Sequence, residues 1–498
     1  MKQQYIRHIL LTLLATATSL WVHARVEPPA PCSLLPVPTP QQLRWQDMEM
    51  YAFLHFSLNT YTDQEWGGGN ESPALFNPTE LDARQWARVC RQSGMRGIIL
   101  TAKHHSGFCL WPSAYTDYSV KNSPWLNGRG DVLGMLAEAC RHEGLKFAIY
   151  LSPWDRHHPQ YGRPEYVTYF HNQMRELLTQ YGDLFEVWFD GANGGDGWYG
   201  GANERREIDH TYYRWPEMYQ MIRQIQPECV IWGDTRHPAD LRWIGNEDGH
   251  AGLTNWSMLP HERQYEDAST LDMLNQGAEA GDVWCPGECD TSIRPSWFYH
   301  KSEDSQVKTL PQLMDIYYKS VGRNSCLLLN FPIMPNGRIH PTDSLRGLEF
   351  AREIKRVFRH DLARKARVSA SNIRGGGKTF RAHNVIDGKP QTYWATDDSV
   401  RTAILTLHFS RPTAANRILL EEPIALGQRI RRFHIEALVD DQWLPVCDAL
   451  ADGQDDFTTI GHRRIICFNT IQVTRLRLTI TDSRACPLLS RFSVYLSE

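Results

Sequence analysis

Short apolar runs separated by amphipathic stretches pattern the first three quarters of the chain. Tyr51-Ala52-Phe53-Leu54-His55-Phe56, Gly97 to Ala102, Lys146 to Leu151 and Phe185 to Phe189 are apolar along nearly their whole length and too short for helices, which predicts strands buried on both faces. Between them, Ala83, Trp86, Ala87 and Cys90 fall on one helical stripe, Val132, Leu136 and Cys140 on a second, and Val167, Phe170, Met174, Leu177 and Tyr181 on a third. Asp131 is placed to cap the second of these helices and Gly144 to end it. The alternation continues with a helix near Pro216 to Gln226, a strand at Val230-Ile231-Trp232, a strand-like Asp282 to Cys285, a helix from Leu310 to Ser320, a strand at Cys326 to Asn330 and a helix from Ser344 to Phe358. Over roughly 300 residues such a pattern predicts a (β/α)8-like barrel over 50–360 rather than an open sheet.

The rhythm changes after Arg359. From 366 to 498 the apolar segments are short, alternating and punctuated by turns, as in Ala403 to Phe409 and Arg475 to Ile480, which predicts an antiparallel β-sandwich. Ahead of the barrel, 25–49 reads as a proline-rich lead-in. Residues 1–24 read as a signal peptide: an apolar run from Ile6 to Val22, with Lys2 ahead of it and Arg7 at its start, ends at Val22-His23-Ala24. That run is interrupted by Thr12, Thr16, Thr18 and Ser19 and falls short of the roughly 20 apolar residues of a membrane span, so the expectation is export, periplasmic or extracellular.

Charge and cysteine usage narrow the partners. A net charge of −4 with no long basic stretch argues against nucleic acid. The eleven cysteines are odd in number and scattered, and Cys90, Cys140 and Cys326 lie in apolar runs as core thiols. Cys285 and Cys289 have no second Cys or His pair at ligand spacing, so no metal is expected there. Asn372 to Thr379 nearly spells a phosphate-binding loop, but it starts on Asn and lacks the flanking strand and helix, so it reads as a plain loop.

Chemistry is expected at the C-terminal ends of barrel strands. There the sequence places His55 and, in the following loop, Glu65 and Trp66; then Lys103, His104 and His105; then Tyr150 leading to Trp154 and Asp155; then Asp190; and, after Trp284, Glu288 and Asp290. Trp188 and Asp190 share one side of their strand, setting an apolar face for a sugar ring beside a carboxylate. Asp190 and Glu288 could converge across the barrel mouth. Two carboxyls flanking a glycosidic bond, about 5–5.5 Å apart, are what retaining hydrolysis requires.

Four stretches in order, His55 to Gly67, Thr101 to Phe108, Val187 to Gly191 and Glu288 to Pro295, resemble the family 29 glycoside hydrolases, the α-L-fucosidases, and in particular the branch acting on α-1,3 and α-1,4 linked fucose. The resemblance implies an exo-acting, retaining hydrolase of fucosylated oligosaccharides or glycoconjugates, with Asp190 as nucleophile and Glu288 as acid/base. His55, Glu65, Trp66, His104, His105, Tyr150 and Trp188 would hold the fucose, and no cofactor is required for catalysis. An α-L-galactosidase of the same mechanism and an inactive fucose-binding protein are the alternative readings. Val385 to Ala395 is similar to discoidin-like sandwiches, some of which hold calcium and some of which bind carbohydrate.

Overall fold

A computed structural model describes residues 28–233, 239–261 and 268–497; the expected signal peptide lies outside the described residues. Eight parallel strands form the first sheet: β1 (Met50–Leu54), β2 (Gly97–Lys103), β3 (Lys146–Leu151), β4 (Leu184–Phe189), β5 (Val230–Gly233), β6 (Arg242–Trp243), β7 (Gly287–Ser292) and β8 (Cys326–Asn330). Their spatial order is β5-β4-β3-β2-β1-β8-β7-β6, and a parallel bridge from Trp232 to Leu241 draws β5 against β6, so the sheet comes close to a closed barrel. Among the described residues no helix is long and apolar enough to cross a membrane.

Two apolar layers hold the barrel. Helices Ala83–Gln92, Val132–Glu143 and Pro164–Gln180 press their predicted stripes onto the outside of the strands, burying Trp86, Leu136 and Phe170 completely. The inside is filled largely by aromatic rings: Tyr51, Phe53, Tyr150, Trp188 and Trp232 form one cluster with Ile99, Leu241 and Leu328. Trp45 and Met48 join this cluster from below. They come from the expected lead-in, where Thr39 and Gln42 make a capping box and Pro40 starts a helix, Pro40–Gln46, that plugs the N-terminal end of the barrel. The prolines there mark a helix start as well as a linker.

Two sequence expectations change in the strand that follows. Val283–Trp284 does form a strand, but it pairs antiparallel with Met258–Leu259 outside the barrel. The barrel strand is β7, Gly-Glu-Cys-Asp-Thr-Ser, buried along its whole length. Glu288 therefore lies inside a strand and not in a loop beyond one.

One buried ion pair anchors the loops at the mouth. Lys103 Nζ, at the end of β2, sits 3.3 Å from Asp155 Oδ2 and donates to Gln173 Oε1 at 3.0 Å, with both charged side chains almost wholly out of water. Asp155 Oδ1 in turn accepts from the amides of His157 and His158, and Gly107, at φ +87°, passes where a Cβ would come within 2.2 Å of that oxygen. Lys103→Met is expected to destabilise the barrel by about 3–5 kcal/mol, because it leaves the Asp155 charge buried without its partner. A urea titration of the variant against the native chain checks this.

The second domain has strand order β9 (Arg367–Ala370), β10 (Ala403–Glu421), β13 (Arg464–Ser483), β11 (Ile430–Val439), β12 (Gln442–Pro445), with β14 (Arg491–Tyr495) also on β10, every pairing antiparallel. Its loops grip the barrel segment 253–257: Thr459 Oγ1 accepts from Asn255 N at 2.9 Å, Gln428 Oε1 from Ser257 N at 2.8 Å, and Arg464 Nη1 donates to Leu253 O at 2.7 Å. In the loop Asn372 to Thr379, the Gly375 amide is taken by Asp397 at 2.9 Å and Arg374 pairs with Asp398, so its polar groups serve the sandwich itself.

Candidate active site

At the C-terminal mouth of the barrel is a pocket of about 240 Å³. Its walls include Phe53, His55, Trp66, His104, His105, Tyr150, Trp188, Asp190, Trp232, Trp243, Glu247, Asp290 and Trp297. Seven of the nine residues singled out from the sequence are thus brought together, from four strands and the loops after them.

Asp190 lies one residue past β4, two beyond Trp188 on the same side. Tyr150 Oη donates to its Oδ2 at 2.9 Å, and the Ala192 amide to its Oδ1 at 2.7 Å. His105 Nε2 stands 3.7 Å from Oδ2. These contacts fix the carboxylate in direction while leaving it open to the pocket.

Three imidazoles face the same space in neutral form. Burial lowers the pKa of His55 to about 3; burial and the neighbouring His105 and His55 lower that of His104, and burial lowers that of His105 against the opposing pull of Asp190. Their tautomers follow from the second partners. Asn330 Nδ2 donates to Ser292 Oγ and Trp297 O, so its Oδ1 must accept from His55 Nδ1–H at 2.9 Å. Ser152 Oγ donates to Trp154 O and accepts from His105 Nδ1–H at 2.8 Å. His55 and His105 therefore offer Nε2 lone pairs, and His104 Nδ1 is buried with no partner among the described residues. Neutral acceptors of this kind suit hydroxyl donors. His104, His105 and Asp190 also bring one ligand atom each within 4.8 Å of one another.

Trp188 stacks on Trp232 at 3.7 Å and on Tyr150 at 5.1 Å, making an aromatic floor. Trp66 stands at the rim, 54% exposed, edge-on to His105 and Trp154.

Two of the expected residues are elsewhere. Glu65 turns its oxygens to the amides of Trp297 and Phe298, at 2.9 and 3.0 Å, and to His300. It holds the loop that carries Trp297 and is not part of the pocket wall. Glu288 is fully buried beneath the floor, accepting from Trp188 Nε1 at 2.9 Å and from Tyr51 Oη. With the indole above it, its carboxyl is shut off from the pocket, which removes it as a proton donor to a bound sugar's leaving oxygen.

The second carboxyl at the mouth is Glu247, which the sequence reading missed. It follows β6, a strand of two residues, and Trp297 Nε1 donates to its Oε2 at 3.1 Å. Crowding by the pocket wall, with the charges of Asp190 and Glu65, raises its pKa. A carboxylate in the loop directly after a Trp-ended strand was the available signal. Asp290 lies deeper, held by Trp243 Nε1 at 3.0 Å, and burial together with Glu288 and Glu247 pushes its pKa well up.

In the sandwich, the acids in and after the discoidin-like stretch are held by donors of their own domain. Asp387 accepts from Lys389 N and Thr392 Oγ1, and Asp397 from Gly375 N and Asn372. The Arg364 guanidinium packs on Gly388 and donates to Ile386 O, placing a fixed cation on the loop. No cluster of three acidic, His or Cys side chains forms among the described residues of this domain.

Comparison with known proteins agrees with both domains. The alpha-L-fucosidase family matches residues 41–352 and the F5/8 type C domain matches residues 367–492. Alpha-L-fucosidase 1 of Arabidopsis thaliana is 42% identical over 475 residues, spanning 94% of this chain and 89% of that protein. Among solved structures, a glycoside hydrolase 29 family member from an unknown rumen bacterium is 59% identical with a TM-score of 0.85, covering 94% of this chain and 78% of that one. A glycoside hydrolase 29 fucosidase of Ruminococcus gnavus in complex with fucose is 31% identical with a TM-score of 0.83, covering 95% and 97%. With its imidazole-lined pocket at the mouth of a parallel barrel and an F5/8 type C sandwich behind it, the chain belongs to the α-L-fucosidases of glycoside hydrolase family 29.

Proposed function

We propose that the enzyme is exo-acting and retaining, and that it removes α-1,3 and α-1,4 linked L-fucose from branched glycans with Asp190 as nucleophile and Glu247 as acid/base. The observation that carries this reading is a small pocket with two carboxyls at its mouth, where burial and the nearby Asp190 raise the pKa of Glu247. In the first step Asp190 attacks the anomeric carbon while Glu247 gives its proton to the leaving oxygen, releasing the aglycone alcohol. In the second, ionised Glu247 takes a proton from water, whose oxygen displaces Asp190 and frees fucose. His55, His104 and His105 accept the sugar hydroxyls, and the aromatic floor receives the ring.

An adjoining cleft of about 690 Å³ supports the branched substrate. It shares Glu247 and Trp297 with the pocket and is lined further by Asp248, His250, Lys308 and Asp315, polar groups set among Pro295, Pro311 and Ile316 where sugars beyond the scissile bond can lie. In a panel of defined oligosaccharides, Lewis-type branched substrates are expected to exceed α-1,2 linked ones by about 10–100-fold in kcat/KM. Equal rates would remove the linkage assignment. Proton NMR at early times should show α-L-fucose as the first anomer; β-L-fucose would mean inversion. Both carboxyls at the mouth argue against an inactive binding protein. Export belongs to the same reading and requires a mature chain that starts after Ala24.

A further inference from the structure

Two acids in the barrel floor are left without a chemical task. Glu186 and Glu288 are both fully buried, on β4 and β7, one layer below the pocket. Removing a carboxyl from water without compensation costs several kcal/mol, and a floor of aliphatic side chains would avoid that cost. What the pair does instead is visible in its contacts. Glu288 accepts from Trp188 Nε1 with one oxygen and from Tyr51 Oη with the other. Glu186 Oε2 accepts from Trp45 Nε1 at 3.0 Å, and burial together with the neighbouring Glu288 carboxyl pushes the Glu186 pKa well up.

We propose that Glu186 and Glu288 are positioning residues that fix the indole of Trp188, and through it the sugar-facing floor of the active site. Two neighbouring carboxyls out of water do not both ionise, so the pair holds one proton. Glu186 keeps it, because both oxygens of Glu288 already accept hydrogen bonds and Glu186 Oε1 receives none from an N–H or O–H among the described residues. Glu288, with Tyr51 donating to one oxygen and Trp188 Nε1 to the other, is then held as an acceptor for the indole N–H. Stacking alone leaves an aromatic ring free to slide and turn in its plane; the N–H bond stops this. The restraint passes upward, since Trp188 stacks on Tyr150, and Tyr150 Oη holds Asp190.

The inference rests on Asp190 and Glu247 being the reacting pair. That pair fails separately, if Glu247→Gln leaves substrates with poor leaving groups as fast as before. For the floor, kinetics are read on aryl α-L-fucosides whose phenols span a wide range of acidity. Glu288→Gln keeps an oxygen for Trp188 and is expected to stay within about threefold of native kcat/KM, by the same factor for every phenol. Glu288→Leu removes the acceptor and should raise KM about tenfold, the equivalent of about 1.4 kcal/mol, with kcat less affected. In a Trp188→Phe background, which has no N–H to lose, the same change should add less than about twofold. Should Glu288→Leu fail to fold, Tyr51→Phe takes its place: nearly isosteric and below the pocket, it weakens the hold on Glu288 and should raise KM about threefold. A loss in Glu288→Gln that steepens with the pKa of the phenol overturns the proposal. So does a native KM in Glu288→Leu or Tyr51→Phe, or full additivity with Trp188→Phe.

Discussion

Asp190→Ala is expected to lower turnover of an aryl α-L-fucoside by about 10⁴-fold or more, the scale on which loss of an attacking side chain is felt. The prediction follows from position. Asp190 stands one residue beyond β4, with Tyr150 and the Ala192 amide each giving it one hydrogen bond and the pocket on its open side. In the proposed mechanism, removing it takes away the atom that forms the intermediate while the imidazoles and the aromatic floor would still bind the sugar, so KM should change far less than kcat. Azide is small enough to enter the vacated space and should restore part of the rate. Attack from that side inverts the anomeric carbon, so the product is β-L-fucosyl azide. Turnover within tenfold of the native enzyme, or no azide product, would sink the nucleophile assignment.

How much of this was legible in the sequence depended on hydropathy. Asp190 was, because a carboxylate ends a run of buried residues, and His104 and His105 were, because they follow a run equally apolar. The barrel and the sandwich were legible from the spacing of such runs. Glu288 was placed wrongly for the converse reason: β7 carries Glu, Asp, Thr and Ser on a fully buried strand, so hydropathy passes over it and settles on Val283–Trp284 nearby. Polar residues belong on that strand because its inward positions feed the floor and the pocket. Glu247 escaped because β6 is two residues long, and a period cannot be read from two residues. Glu65 was found in the right loop, but its amide partners, Trp297 and Phe298, lie far away in the chain and could be known only from the fold.

Glu247→Gln should separate the two halves of the reaction. As the proposed acid of the first step, Glu247 would have to be protonated, and the wall, Asp190 and Glu65 all raise its pKa above the ordinary carboxyl value of 4.5. Protonation is lost as pH rises through that raised value, so kcat/KM of the native enzyme should fall on a basic limb displaced upward from 4.5. The amide cannot titrate, so in the variant the limb should vanish. The rate should drop by about 10²–10⁴-fold for substrates whose leaving group needs a proton, and much less for an activated aryl fucoside. With the activated substrate the fucosyl-enzyme still forms on Asp190, and azide can then attack from the opposite side in place of water. The product is α-L-fucosyl azide, the opposite anomer to that from Asp190→Ala, and the pair of products distinguishes the two carboxyls without reference to rates. A variant that keeps its basic limb and loses the same factor on every leaving group would transfer the acid/base role to Asp290, the remaining carboxyl in the pocket wall.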